Sequence, residues 1–103
     1  MIDLLEQHRP DIEMLCRLHH VKQLDVFGSA ARGDFDPATS DLDFLVEFQP
    51  LGWQGLSNRY FGLLHGLEDL FKCEVDLVDL TAVRNPLFME VATKSREGIY
   101  RAA

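Results

Sequence analysis

A chain of 103 residues fits one domain, residues 1–103, and folding at that size removes only about two-thirds of the unfolded surface from water, which leaves room for one core and one site. Hydrophobic residues make up 47% and charged residues 26% of it, a balance that argues against disorder and against a fibrous fold. Seventeen acidic against ten basic residues give a net charge of −7, the wrong sign for gripping nucleic acid by its phosphates, so no stable nucleic-acid binding is expected.

Apolar runs such as Phe44 to Val46 fall far short of the ~20 residues a membrane span needs, and Met-Ile-Asp-Leu-Leu-Glu carries no basic segment followed by an apolar one. Neither membrane nor export is expected, and the chain reads as cytoplasmic. Cys16 and Cys73 stand apart without the spacing of a zinc or redox motif, and both read as buried thiols.

Leu4, Leu5, Ile12, Leu15 and Leu18 recur at helical spacing, and Pro10 suits the first turn of a new helix, so the opening predicts two short helices or one kinked one. Val21 to Phe27 predicts a strand that Gly28-Ser29 closes with a turn into Ala30-Ala31-Arg32, after which Gly33 and Pro37 mark irregular backbone. Asp41 to Phe48 predicts a second strand. Its alternation places Asp41, Asp43, Leu45 and Glu47 on one face and Leu42, Phe44, Val46 and Phe48 on the other, the core face. Leu56, Tyr60, Leu63, Leu64, Leu67, Leu70 and Phe71 predict an amphipathic crossover helix. Cys73 to Leu80 predicts a third strand beside the first two. Asn85-Pro86 then starts a helix running to about Glu97 with Gly98 as its stop, followed by a short extended piece around Ile99 and Tyr100.

The stretch from Phe27 to Val46 carries the chemistry. Glycine at a strand end lets backbone approach a bulky anion, and Ser29 offers an amide and a hydroxyl to a phosphate at the positive end of the short helix that follows. Asp41 and Asp43, two apart on a strand, present oxygens in one place, which suits Mg²⁺; without a cation the pair would repel itself. Asp76, in Glu74-Val75-Asp76-Leu77-Val78-Asp79-Leu80, is the candidate third carboxylate of a two-metal site and a candidate proton acceptor. Asp79 falls on the opposite face and reads as a strand-end or turn residue.

Gly-Ser, a spacer, Asp-x-Asp and a later strand carboxylate together resemble the DNA polymerase β-like nucleotidyltransferase superfamily. Ala-Arg-Gly after Gly28-Ser29, Ser-Asp-Leu-Asp, Val-Asp-Leu-Val and the closing Arg-Glu-Gly-Ile-Tyr make the chain similar to its minimal branch, the MNT domain. The resemblance implies an α/β (α+β) fold, a small mixed β-sheet flanked by helices. It also implies that Gly28 and Ser29 bind phosphate, that Asp41 and Asp43 hold metal, and that Asp76 is the third carboxylate. The Ser29-to-Asp41 loop is one residue longer than the family usually has, an insertion a loop absorbs.

Minimal members are often encoded beside a helical HEPN protein, an RNase, in pairs that look like toxin and antitoxin. MntA-type antitoxins of such HEPN/MNT pairs are implied to transfer AMP from ATP, with Mg²⁺, to a tyrosine of the partner. The resemblance thus implies a protein adenylyltransferase, ATP as donor and a HEPN toxin as partner, in a homo- or hetero-oligomer. The −7 charge agrees with a basic partner, since complementary fields raise association rates. A second reading is an antitoxin that neutralises its toxin by binding alone; intact Gly28-Ser29 and all three carboxylates favour the enzyme. Small-molecule transfer, as in antibiotic-modifying relatives, needs an additional domain to hold the acceptor.

Arg32 contacts phosphate or ties the loop to Asp34 or Asp36; both readings stand. His8, His19, His20 and His65 stay out of the site as solvent-facing or capping residues. Trp53 stacks a base, anchors an interface or covers the core.

Overall fold

The opening helical pattern resolves into α1 (Asp3–Gln7) and α2 (Arg9–Leu18), and Pro10 stands in the first turn of α2, where its missing N–H leaves no bond unmade. The computed structural model describes residues 3–33, 41–51, 55–80 and 96–102. β1 (Val21–Phe27) passes through Gly28 into the four-residue α3 (Ser29–Arg32). β2 (Leu42–Phe48), α4 (Leu56–Phe71), β3 (Val75–Asp79) and β4 (Glu97–Arg101) complete the described elements.

The strands form one sheet in the order β3-β2-β1-β4. β1 runs antiparallel to both β2 and β4, while β2 and β3 are parallel, so the sheet is mixed. A parallel neighbour cannot be reached by a tight turn, and α4 supplies the crossover from β2 to β3.

One face of the sheet carries the core. Leu42, Phe44, Val46 and Phe48 pack with Leu24 and Val26 of β1, Ile12 and Cys16 of α2, and Leu63, Leu67 and Phe71 of α4. Full burial of each large apolar side chain contributes roughly 1.5 to 3 kcal/mol. The helices approach closely because α4 carries glycines where α2 presses on it: a Cβ at Gly62 would lie 2.5 Å from His19 Cε1, and one at Gly66 2.7 Å from Leu15 Cδ2. His19 also ends α2, its N–H donating to Leu15 O at 3.0 Å.

Several expectations shift. The sheet face away from the helices also has a buried residue, Leu45, which lies outside the helix-side core cluster. Cys16 is fully buried, but Cys73 is only half-buried. The third strand is shorter than Cys73 to Leu80, and the second begins one residue later than Asp41. The helix expected from Asn85 falls largely on residues 81–95, outside the described residues, as do the loop with Asp34, Asp36 and Pro37, and Trp53. Its expected end is wrong: Glu97 and Gly98 belong to β4, not to a helix terminus. Gly98 pairs with Asp25 across the sheet, and a Cβ there would crowd the Arg101 guanidinium at 3.3 Å. Gly98 is therefore a strand residue chosen for close approach, and tertiary pairing overrides its reading as a stop signal. Among the described residues no helix is long and apolar enough to cross a membrane.

Candidate active site

The site is assembled at one end of the sheet, where β1 finishes and β2 and β3 begin. Phe27 pairs with Asp43 in the antiparallel ladder, and Asp43 pairs with Asp76 in the parallel one. Three neighbouring strands thus present Phe27, Asp43 and Asp76 in one row. Paired residues share a face, so both carboxylates stand on the side away from the helix-covered core.

Gly28 closes β1 at φ 71°, in the left-handed region that side chains avoid. A Cβ at this position would lie 2.7 Å from Asp43 Oδ2. The glycine therefore meets two demands at once: it turns the chain from β1 into α3, and it leaves the space the Asp43 carboxylate occupies. The backbone of Ser29 and Arg32 forms α3, but their side chains lie outside those described.

Asp41 is exposed and precedes β2 by one residue. Leu42 N donates to Glu74 O at 3.1 Å, tying the start of β2 to the entry of β3. Cys73 lies near enough to feel the Asp41 charge: burial raises its thiol pKa most, followed by Asp41 and Glu68. From α4, the Tyr60 hydroxyl donates to Leu77 O at 2.5 Å, which fastens the edge strand one residue beyond Asp76. Burial, then the charges of Asp76 and Asp79, raise the Tyr60 pKa. Asp79 ends β3 opposite Val46, as a strand-end residue.

The structure therefore brings Asp43 and Asp76 side by side and leaves Asp41 at the strand entry. Among the described residues no three His, Cys, Asp or Glu side chains gather closely enough to hold a metal ion. The donor chemistry of the three aspartates, all carboxylate oxygen, nonetheless suits a hard cation such as Mg²⁺.

Sequence reasoning missed one group on this face. Asp25, the partner of Leu45, is fully buried and accepts from Arg101 Nη1 at 2.6 Å through Oδ1 and from Arg96 Nε through Oδ2. The available signal was a carboxylate inside the apolar run Leu24-Asp25-Val26-Phe27, a placement that demands a partner.

Residues 12–99 match the family described as Nucleotidyltransferase domain. The chain belongs to that family. It is 36% identical over 84 residues to "Putative protein adenylyltransferase MJ0128" of Methanocaldococcus jannaschii, covering 82% of this chain and 79% of that one. A second protein of the same organism carrying the same name, MJ1215, is 30% identical over 81 residues, 79% of this chain and 86% of its own length. Among solved structures, a "putative minimal nucleotidyltransferase" superposes with TM-score 0.75 at 31% identity, over 95% of this chain and 93% of that one. A toxin-antitoxin structure with AMP-PNP gives TM-score 0.71 at 20% identity, over 91% and 73% of the two chains, and shows the shared fold. The nucleotidyltransferase fold and its minimal form are thus those of this chain.

Proposed function

We propose that this nucleotidyltransferase domain is a protein adenylyltransferase that moves AMP from ATP to a tyrosine of a HEPN-type toxin, as the antitoxin of a toxin-antitoxin pair. The observation that carries the reading is the Asp43 and Asp76 pair, in register on adjacent strands beneath a left-handed Gly28 that spares room for the first of them. Two carboxylates on paired positions of neighbouring strands repel one another and are complementary to a divalent cation. The names of the Methanocaldococcus jannaschii relatives, and the Shewanella oneidensis structure of a tri-AMPylated HEPN toxin with its MNT antitoxin, support the same reading.

In this proposal Asp41, Asp43 and Asp76 would hold Mg²⁺, which supplies charge neutralisation at the phosphates. Gly28 and Ser29 receive the triphosphate, with Arg32 a further phosphate candidate. The acceptor oxygen attacks the α-phosphorus, forming the new O–P bond as the bond to the bridging oxygen breaks and pyrophosphate departs. Asp76 takes the hydroxyl proton.

The test is intact mass of a co-expressed HEPN partner after incubation with ATP and Mg²⁺. A gain of about 329 Da per AMP is expected with the wild-type chain and none with Asp43→Asn. A partner neutralised by both chains with no gain in mass would establish an antitoxin that acts by binding alone.

A further inference from the structure

The Asp25 cluster contains more positive charge than fastening a strand requires. One fully buried carboxylate binds two guanidiniums, so the group carries a net single positive charge on a sheet face that also carries Asp43, Asp76 and Glu47. The two arginines are not equivalent. Arg101 pairs with Gln23, toward the far end of β1, and its side chain is 54% exposed. Arg96 immediately precedes Glu97, the partner of Val26, and so stands level with Phe27 at the end where the site lies. Its side chain is only 24% exposed.

Counted across the sheet, the row runs Asp76, Asp43, Phe27, Arg96. Strands lie about 4.8 Å apart, which sets Arg96 roughly 10 Å from Asp43, across the end of β1 from which Gly28 turns. Arg96 engages Asp25 through Nε, and no described residue accepts from its Nη nitrogens. That edge of the guanidinium fork is the one that suits a phosphate.

We propose that Arg96 is the cation that receives the β- and γ-phosphates of the nucleotide donor, and that Asp25 is the positioning residue that holds it there. The inference rests on the adenylyltransferase reading and adds to it the place where the departing pyrophosphate is bound. The α-phosphate then lies toward Asp43 and Asp76, and the far end of the polyphosphate reaches over Gly28 and Phe27 to Arg96. Burial of Asp25 strengthens its hold, because a desolvated carboxylate keeps its guanidinium partners in place.

The experiment is calorimetric titration of the full chain, in Mg²⁺, with α,β-methylene-ATP and separately with AMP. Taking the ratio of the two affinities within each variant cancels any loss of folded protein. Arg96→Gln is expected to lower the ratio about tenfold while AMP binding is unchanged, the size of one charge-assisted hydrogen bond. Arg101→Gln is expected to leave the ratio as it is. If Arg96→Gln does not fold, Arg96→Lys serves: its ammonium is drawn to Asp25 and lacks the second edge for phosphate, so the ratio falls there too. An unchanged ratio in the folded Arg96 variant overturns the proposal while leaving the adenylyltransferase reading standing. Failure of wild type to bind the analogue overturns both.

Discussion

Asp43 and Asp76 are direct neighbours across the parallel β2–β3 ladder, two carboxylates on the same side of the sheet. Like charges held side by side repel one another, and the proposed metal site would offset that repulsion with a cation. In metal-free buffer, Asp76→Asn is therefore expected to melt at or above the wild-type temperature. With Mg²⁺ and a non-hydrolysable ATP analogue at ~100 times the dissociation constant, wild type gains roughly 2.7 kcal/mol and the variant far less. At about 4 to 8 °C per kcal/mol, thermal melts with and without ligand resolve the difference. A variant that melts well below wild type without metal would mark Asp76 as a structural acceptor instead.

Gly28 and Gly33 separate backbone strain from site geometry. Both have positive φ, 71° and 89°, but a Cβ at Gly28 meets Asp43 Oδ2 at 2.7 Å, whereas among the described residues one at Gly33 meets nothing within 4 Å. Alanine at either position is expected to cost about 1 to 2 kcal/mol from the left-handed backbone. Only Gly28→Ala should also displace the Asp43 carboxylate and abolish AMP transfer. Transfer assays on the two variants, at a temperature where both are folded by circular dichroism, check this; equal retained activity would mean Asp43 is free to move aside.

Removing a charge from the Asp25 cluster should be asymmetric. Asp25→Asn leaves two arginines that are 24% and 54% exposed and can turn toward water, for a cost of about 1 to 3 kcal/mol. The double change Arg96→Gln with Arg101→Gln strands a fully buried carboxylate, for about 3 to 5 kcal/mol. Urea unfolding at neutral pH should place the double variant below Asp25→Asn, and the reverse order would show that Asp25 reaches solvent.

Burial pushes the Cys16 thiol up to about 12, with the Glu13 charge adding to the rise. An acid whose pKa is raised by folding stabilises the fold fully below its unfolded pKa of about 8.5 and loses that contribution as pH climbs toward the folded value. Stability should therefore fall between about pH 9 and pH 12, and Cys16→Ala should lessen the slope. Unfolding midpoints at pH 8 and pH 10.5 for both proteins measure it. At pH 8 the folded wild-type thiol should also resist iodoacetamide, as a buried neutral thiol does.

Much of this architecture was legible in the residues because local patterns and tertiary demands agree. Val21 to Phe27 and Leu56 to Phe71 have the observed bounds, since period-2 and period-3.6 patterns end there at a glycine and at a left-handed Lys72. The apolar face of β2 packs as its alternation requires. Asp43 and Asp76 were nameable, and their meeting follows once β3 is parallel to β2. Gly98 was misread because a glycine opposite a buried ion pair and a glycine after a helix look alike in one dimension. Asp25 was missed for a related reason: its partners stand 71 and 76 residues away, and no local pattern announces them.

That separation has a consequence for how the chain comes to be folded. Asp25 lies on β1, whereas the guanidiniums that bind it come from the end of β4 and from the residue just before that strand. Arg9 Nη1 to Ile99 O at 3.1 Å and Ala102 N to Lys22 O at 2.9 Å stitch the same two ends together. Without Arg96 and Arg101, closing the sheet would enclose an uncompensated carboxylate, which is strongly unfavourable. A chain cut before Arg96 is thus expected to stay open, because the loop that these contacts close is long. These ion pairs tie the order of the carboxylate face to Arg96 and Arg101, residues far from it along the chain.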